Sequence, residues 1–110
     1  MESKMNRGEV YWVNLNPSQG SEIHKRRPCV LVGATPINQA RRTVIVVPLS
    51  TSAKPRPPLT IPVQCLGRSV VAVCDQIRAV DKSRLLEAAD SLSKEDMEAI
   101  ENGLRQVLLL

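Results

Sequence analysis

The chain has 110 residues, of which 43% are apolar and 24% are charged, and this composition predicts one globular domain rather than a disordered chain. Trp12 and Tyr11 are its only aromatic residues, so the core must be aliphatic, and RNA binding through several exposed stacking rings is disfavoured. The formal net charge of +4 weakly favours polyanionic partners.

The cysteines and the N-terminus bear on cofactors and on localisation. Cys29, Cys65 and Cys74 lie in or beside apolar runs without a CxxC pair, which predicts buried, reduced thiols. His24 is the only histidine, so the ligands of a zinc site are missing, and we expect no metal and no other cofactor. The stretch "MESKMNRGEV" lacks the apolar region of a signal peptide, and no run approaches the ~20 apolar residues of a membrane helix. We therefore expect a cytoplasmic protein with no contact to a membrane.

Short β-branched runs dominate the first three quarters of the chain. The Pro-, Ser- and Gly-containing stretches "NPSQGSE" and "STSAKPRPP" predict loops, and "ATPINQARR" predicts a polar connection. The long run "SVVAVCDQIRAV" has room to bend. The predicted strands, in chain order, are "EVYWVNL", "PCVLVG", "TVIVVPL", "LTIPVQ" and "SVVAVCDQIRAV".

The pattern changes after Asp81. "DKSRLLEA" predicts one or two helical turns, and a longer helix is predicted from about Ser93 to Leu108, with Ser93 and Asp96 as a capping box. Strands followed by one packed helix predict an α+β fold, namely a small, strongly bent antiparallel barrel that the C-terminal helix closes. The apolar face of this helix comprises Met97, Ile100, Leu104, Val107 and Leu108.

Three polar stretches lie in predicted loops, where sites on β scaffolds are usually found. They are Glu22–Arg27, Arg41–Arg42 and Ser50–Arg56. Each could simply be a solvated loop. However, if the strand after Arg27 pairs antiparallel with the strand before Ser50, these two residues become neighbours, and the loop of Glu22 can fold over both.

A carboxylate, a guanidinium and a hydroxyl together suit phosphodiester cleavage in RNA. The 2′-OH attacks the neighbouring phosphate, a base takes its proton, and charge grows on the phosphoryl oxygens. Glu22 is our candidate base, Arg27 can hold two phosphoryl oxygens, and Ser50 can donate one hydrogen bond. His24 is a rival acid or base because histidine is the side chain whose unperturbed pKa lies near neutrality.

Four motifs in order carry a resemblance to a known family. They are "RGEVYWVNLNPSQGSE", "RPCVLV", "VVPLSTS" and "VCDQIRAVDKSRL", and they span about Arg7 to Leu85. Their order and spacing resemble the MazF/PemK/Kid family of toxin–antitoxin endoribonucleases. The C-terminal helix stands where that family also has one.

The resemblance implies a single toxin domain over residues 1–110, with an SH3-like barrel that forms a homodimer. It implies metal-independent, sequence-specific cleavage of single-stranded RNA, including mRNA, which leaves a 2′,3′-cyclic phosphate and a 5′-OH and inhibits translation and growth. It also implies a cognate antitoxin whose extended tail occupies the RNA groove.

Glu22, Arg27 and Ser50 match the catalytic Glu, Arg and Thr of the family. Further candidates for catalysis or RNA binding are His24, Lys25, Arg26, Thr51, Asp75, Gln76 and Arg78.

Two departures from the family pattern affect the expected mechanism. The often glycine-containing loop is here Ile23–Arg26, which is stiffer and more basic. The Kid branch has an Arg two residues before the DQ aspartate, and this chain has Val73 there. We therefore prefer the scheme of Glu22, Arg27 and Ser50, and Asp75 could instead accept structural hydrogen bonds.

Two other functions stay open at this point. CcdB toxins share the fold and bind DNA gyrase without cleaving nucleic acid, but their action depends on aromatic C-terminal residues, and this chain ends in "QVLLL". A catalytically inactive module that binds RNA or antitoxin is the other alternative. The intact set of Glu22, Arg27 and Ser50 argues against it.

Overall fold

The computed structural model describes residues 4–16, 20–23 and 25–110. Its α-helices are α1 (Thr35–Ala40) and α2 (Lys94–Leu108), and 3₁₀ turns cover Cys74–Gln76 and Lys82–Arg84. The strands are β1 (Glu9–Asn14), β2 (Arg26–Leu31), β3 (Thr43–Ser50), β4 (Thr60–Cys65), β5 (Arg68–Val73), β6 (Arg78–Asp81) and β7 (Leu85–Ser91).

The strands form one curled antiparallel sheet in the order β4-β5-β3-β2-β1-β7, with β6 also paired to β3. The curl centres on β3, whose outer edge pairs with β6 over Thr43–Val46 and with β5 over Leu49–Ser50. The 3₁₀ turn Cys74–Gln76 connects β5 to β6, and this is the bend predicted for the long run. Pro48 lies between the two paired stretches of β3, where a residue without an N–H is tolerated.

Apolar side chains fill both faces of the central strands, because successive residues of a strand point to opposite sides. In β1, Val10 belongs to the cluster beneath α2, whereas Tyr11 and Val13 belong to the cluster on the other face. The first cluster also holds Met97 and Ile100 of α2. Tyr11 is the only aromatic residue in either cluster, so the core is aliphatic, as predicted.

Helix α2 begins as predicted. Ser93 Oγ accepts a hydrogen bond from the Asp96 N–H at 3.1 Å. Asp96 does not complete the box; its Oδ2 accepts from the Gln64 N–H at 2.9 Å, which joins the helix to β4. A Cβ at Gly103 would lie 3.1 Å from an Ile61 side-chain atom and 3.2 Å from the Cys74 sulfur, so glycine permits the close contact. The predicted α+β fold is confirmed.

The three cysteines are buried and unpaired, as predicted. Burial raises the pKa of the Cys29 thiol to about 12 and the pKa values of Cys65 and Cys74 to about 11. These thiols are therefore protonated at neutral pH. None of the helices in the described ranges combines the length and apolarity that a bilayer crossing needs.

Two segments contain elements that were not predicted. The polar connection after β2 contains helix α1, which tertiary contacts hold: buried Asn38 donates through Nδ2 to the carbonyls of Gly33 at 2.8 Å and Met5 at 3.2 Å. The predicted helical turns over "DKSRLLEA" are limited to Lys82–Arg84, and the chain then enters β7. Strand β7 forms because the outer edge of β1 supplies hydrogen-bond partners, although its own residues favour a strand little.

Candidate active site

The pairing of β2 with β3 brings Arg27 and Ser50 together. The two strands are antiparallel, with Cys29 opposite Pro48 and Leu31 opposite Val46. Continuing the same register by two residues places Arg27 opposite Ser50, on the same face of the sheet. Pro28 follows Arg27, and it restricts the backbone of the residue before it. The two strands thus pair in the antiparallel sense that the prediction required, and the meeting of the guanidinium and the hydroxyl stays a prediction from this register.

The Ser50 hydroxyl closes the turn that leaves β3. Its Oγ accepts hydrogen bonds from the Ser52 N–H at 3.2 Å and the Ala53 N–H at 3.1 Å. The Ser52 hydroxyl lies 3.4 Å away. Two backbone donors use the acceptor positions of the oxygen, so its proton is the remaining hydrogen-bonding group, and Ser52 Oγ lies within reach of it. An anion bound here would compete with Ser52 for this proton.

The loop that carries Glu22 is attached to the sheet through the next residue. The Ile23 N–H donates to Gln76 Oε1 at 2.7 Å, and Arg78 Nη2 donates to the same oxygen at 3.2 Å and to the Ile23 carbonyl at 3.4 Å. The Ile23 side chain packs against the cluster of Tyr11 and Val13. Gln76 and Arg78, predicted as catalytic or RNA-contact candidates, thus hold the backbone beside Glu22, and Glu22 itself is exposed.

The basic residues after this loop begin β2. Lys25 has a φ of +67°, its N–H donates to Asn16 Oδ1 at 3.0 Å, and its carbonyl accepts from the Leu15 N–H at 2.9 Å. Arg26 lies opposite Asn14 in the sheet. The side chains of Lys25, Arg26 and Arg27 are exposed, so cationic groups surround the approach to Ser50.

A groove of about 400 Å³ adjoins Arg27. Trp12 is partly buried in its wall, because strand alternation turns this ring away from buried Tyr11 and Val13. Neither Trp12 nor Arg68 was predicted as a site residue; the alternation of β1 was the available signal for Trp12. The lining residues are Trp12, Arg27, Pro28, Leu49, Thr51, Cys65, Leu66, Arg68 and Val70.

The remaining candidates fall in different places. Thr51 lines the groove. Asp75 is exposed in the 3₁₀ turn, and no described residue donates a hydrogen bond to it, so the structural role considered for it finds no support. His24 lies outside the described residues. Arg41 and Arg42 precede the opposite end of β3 and are not part of this site.

Nowhere in the described ranges do three or more His, Cys, Asp or Glu side chains come close enough together to hold a metal ion.

Comparison with known proteins gives a consistent result. Residues 6–108 match the family described as PemK-like, MazF-like toxin of type II toxin-antitoxin system. The endoribonuclease MazF of Staphylococcus saprophyticus is 33% identical over 105 residues, which cover 91% of this chain and 88% of that protein.

Solved structures show the same fold. The crystal structure of MazF from Deinococcus radiodurans has a TM-score of 0.88 at 23% identity, covering 99% of this chain and 100% of that one. An endoribonuclease from a mycobacterial species, solved in complex with its cognate antitoxin, has a TM-score of 0.80 at 21% identity, covering 96% and 95%. The predicted family is confirmed, and these matches give no support to the CcdB-like alternative.

Proposed function

Since the chain belongs to the PemK-like, MazF-like toxin family of type II toxin–antitoxin systems, we propose that it is an endoribonuclease that cleaves single-stranded RNA. The observation that carries this proposal is the antiparallel register of β2 and β3, in which Cys29 lies opposite Pro48, two residues from Arg27 and from Ser50 respectively. The attachment of Ile23 to Gln76 supports it further, because it fixes the backbone next to Glu22.

The proposed reaction is an internal transfer within the RNA. The 2′-oxygen bonds to the adjacent phosphorus while Glu22 takes its proton, the bond from phosphorus to the 5′-oxygen breaks, and that oxygen takes up a proton. The products are a 2′,3′-cyclic phosphate and a 5′-OH, with no net gain or loss of protons. Arg27 meets two phosphoryl oxygens as their charge grows, and Ser50 donates to one of them.

The groove beside Arg27 suits the nucleotides next to the scissile phosphate. Trp12 offers a face on which an unpaired base can stack, which is worth ~1–3 kcal/mol per base. Arg68 adds a cation for a neighbouring phosphate. A base can lie on such a face only when it is not paired in a helix, so the groove favours single-stranded RNA.

We further propose a cognate antitoxin, a homodimer and a cytoplasmic location for this single toxin domain. The mycobacterial relative was solved in complex with its cognate antitoxin, and buried, protonated thiols suit a reducing compartment. An extended antitoxin segment would compete with RNA for the groove of Trp12 and Arg27. Light scattering after size exclusion, which should report a dimer at micromolar concentration, tests the oligomeric state.

The decisive experiment for the activity is incubation of the purified protein with a long RNA in EDTA, followed by sequencing of the cleaved ends. We expect cuts at a short recurring sequence, with 5′-OH termini and cyclic phosphates. An Arg27→Ala preparation, purified in parallel, controls for contaminating ribonuclease. Intact RNA after prolonged incubation would contradict the proposal, and a supercoiling assay with DNA gyrase would then test the CcdB-like function.

A further inference from the structure

Strand β1 extends beyond the stretch in which β7 pairs with its outer edge. The pairing of β1 with β7 ends at Val13 and Leu85, whereas the pairing with β2 continues to Asn14, and the Leu15 N–H beyond it still donates to the Lys25 carbonyl. Arg84, immediately before β7, donates through Nη1 to the Asn14 carbonyl at 3.2 Å and also to the Asn16 carbonyl. The guanidinium thus provides the donors that further residues of a neighbouring strand would otherwise supply.

The short turn before β7 directs this side chain. Asp81 Oδ1 accepts a hydrogen bond from the Ser83 N–H at 2.9 Å, which begins the 3₁₀ turn Lys82–Arg84. The Leu85 N–H then bonds to the Lys82 carbonyl and ends the turn. The motif "DKSR", which the proposed chemistry leaves unexplained, therefore forms the support from which Arg84 reaches β1.

The hydrogen bonding continues from Asn16 to the active-site strand. Asn16 Oδ1 accepts from the Lys25 N–H at 3.0 Å, and the Lys25 carbonyl accepts from the Leu15 N–H at 2.9 Å. Lys25 is two residues before Arg27, and its φ of +67° is a conformation that an L-residue keeps only when its surroundings impose it.

We propose that Arg84 is a positioning residue for RNA cleavage: it fixes the base of the β1–β2 loop and thereby the start of β2 that presents Arg27. This inference rests on the proposed endoribonuclease function. It differs from a role in phosphate binding, because the contacts that define it are to main-chain carbonyls of the protein. Both carbonyls accept from one nitrogen, Nη1, which the long, planar guanidinium group holds between them, whereas a lysine ammonium is a compact charge on a shorter, flexible stem.

The test compares Arg84→Gln and Arg84→Lys with Lys82→Gln, a control on the same turn whose ammonium contacts the Gln39 carbonyl instead. Single-turnover cleavage at saturating RNA should fall ~10- to 100-fold in both Arg84 variants, the size of effect that a small misplacement of a catalytic group produces. Lys82→Gln should cleave like the wild type. Affinity for a 2′-deoxy analogue that cannot be cleaved should change less than about threefold, with an unchanged salt dependence.

Two results would overturn the inference. Cleavage at the wild-type rate in both variants would remove the positioning role. A loss of affinity with a shallower salt dependence would make Arg84 a phosphate ligand instead.

Amide hydrogen exchange provides a readout that does not depend on cleavage. In Arg84→Lys, the Lys25 and Leu15 amides should exchange faster while the core amides of Val30 and Val47 stay protected. Unchanged exchange at Lys25 would contradict the inference even if the wild type proved inactive on RNA. Conversely, if the Lys25 amide exchanges faster in Arg84→Lys but the wild type does not cleave RNA, the contact of Arg84 with the loop is supported and only the proposed endoribonuclease function is contradicted.

Discussion

The two ends of β3 are both rich in arginine, yet they differ in what surrounds the charge. Ser50 ends the strand beside Arg27, with a groove adjoining. Arg41 and Arg42 precede its first residue, Thr43, about 20 Å away along the strand.

At the Thr43 end, the cations likewise lie near a carboxylate and a hydroxyl. Asp81 lies opposite Thr43, and its pKa is held below the usual range by hydrogen bonds from Ser83 and by the charges of Arg42 and Arg84. Lys82 Nζ donates to the Gln39 carbonyl at 3.2 Å. Basic residues alone therefore do not define a site. What distinguishes the Ser50 end is the wall of its groove, where Trp12 and apolar side chains lie beside Arg27, whereas the hollows at the Thr43 end are lined mainly by charged and polar residues.

Removing one arginine from each end should separate the two regions most clearly. Arg27→Ala should lower single-turnover cleavage in EDTA ~100-fold or more, because a donor to the developing phosphoryl charge is removed. Arg42→Ala is the matched control and should cleave within about twofold of the wild type. Circular dichroism should show both variants folded.

The conservative change at the same position distinguishes charge from geometry. Arg27→Lys keeps the charge but cannot meet two oxygens in fixed geometry, so it should restore little activity. If Arg27→Ala instead cleaves like Arg42→Ala, the Ser50 end of β3 is not the active site.

Glu22→Gln should have the next largest effect. Loss of a general base lowers the rate of cleavage by ~100-fold or more. We expect a value at the lower end of that range because the Glu22 carboxylate is exposed. A His24→Ala variant measured in the same assay is the comparison, because a larger loss there would transfer the role of base or acid to the imidazole.

Ser50→Ala should reduce cleavage by about tenfold, which corresponds to one hydrogen bond of ~1.4 kcal/mol. Thr51 lines the same groove as Arg27, so we expect it to compensate in part. Ser50→Thr keeps the hydroxyl and should retain most activity. If Ser50→Ala is fully active, Ser50 serves only to close the turn to Ser52 and Ala53.

These residues also show which parts of the molecule could be predicted from the sequence. The strand of Arg27 and the strand ending at Ser50 are apolar runs with polar ends, so local composition predicted both strands, whereas their antiparallel pairing was a condition that the structure supplies. Gln76 and Arg78 could be identified as candidates, but their bonds to Ile23 span more than 50 residues of chain. No local pattern predicts contacts of that range.

The errors have the same origin. Helix α1 depends on the buried amide of Asn38, and β7 depends on the outer edge of β1, so neither carries its own periodic signal. Composition identifies Trp12 only as one of two scarce aromatic residues, and the curl of the sheet is what places it in the groove beside Arg27.

Reversing the charge of single basic residues should show that the cations near the Ser50 end of β3 bind RNA and that those near the Thr43 end do not. Lys25→Glu or Arg26→Glu should weaken binding of a non-cleavable RNA and reduce the slope of log affinity against log salt by about 0.7 for each phosphate that the variant no longer neutralises. Arg41→Glu should leave that slope unchanged. If Lys25→Glu and Arg26→Glu both keep the slope of the wild type, these two side chains are only solvated and contact no phosphate.

The smallest expected effect concerns Asp81 and should appear in stability against pH. Its folded-state pKa is lowered, so its contribution to stability is fully present above the unfolded value of about 3.9 and is lost as the pH falls through the folded value. Urea unfolding of Asp81→Asn and wild type should therefore differ slightly at pH 7, and the difference should vanish in acid. A difference that persists at low pH would assign the effect to altered packing rather than to the carboxylate charge.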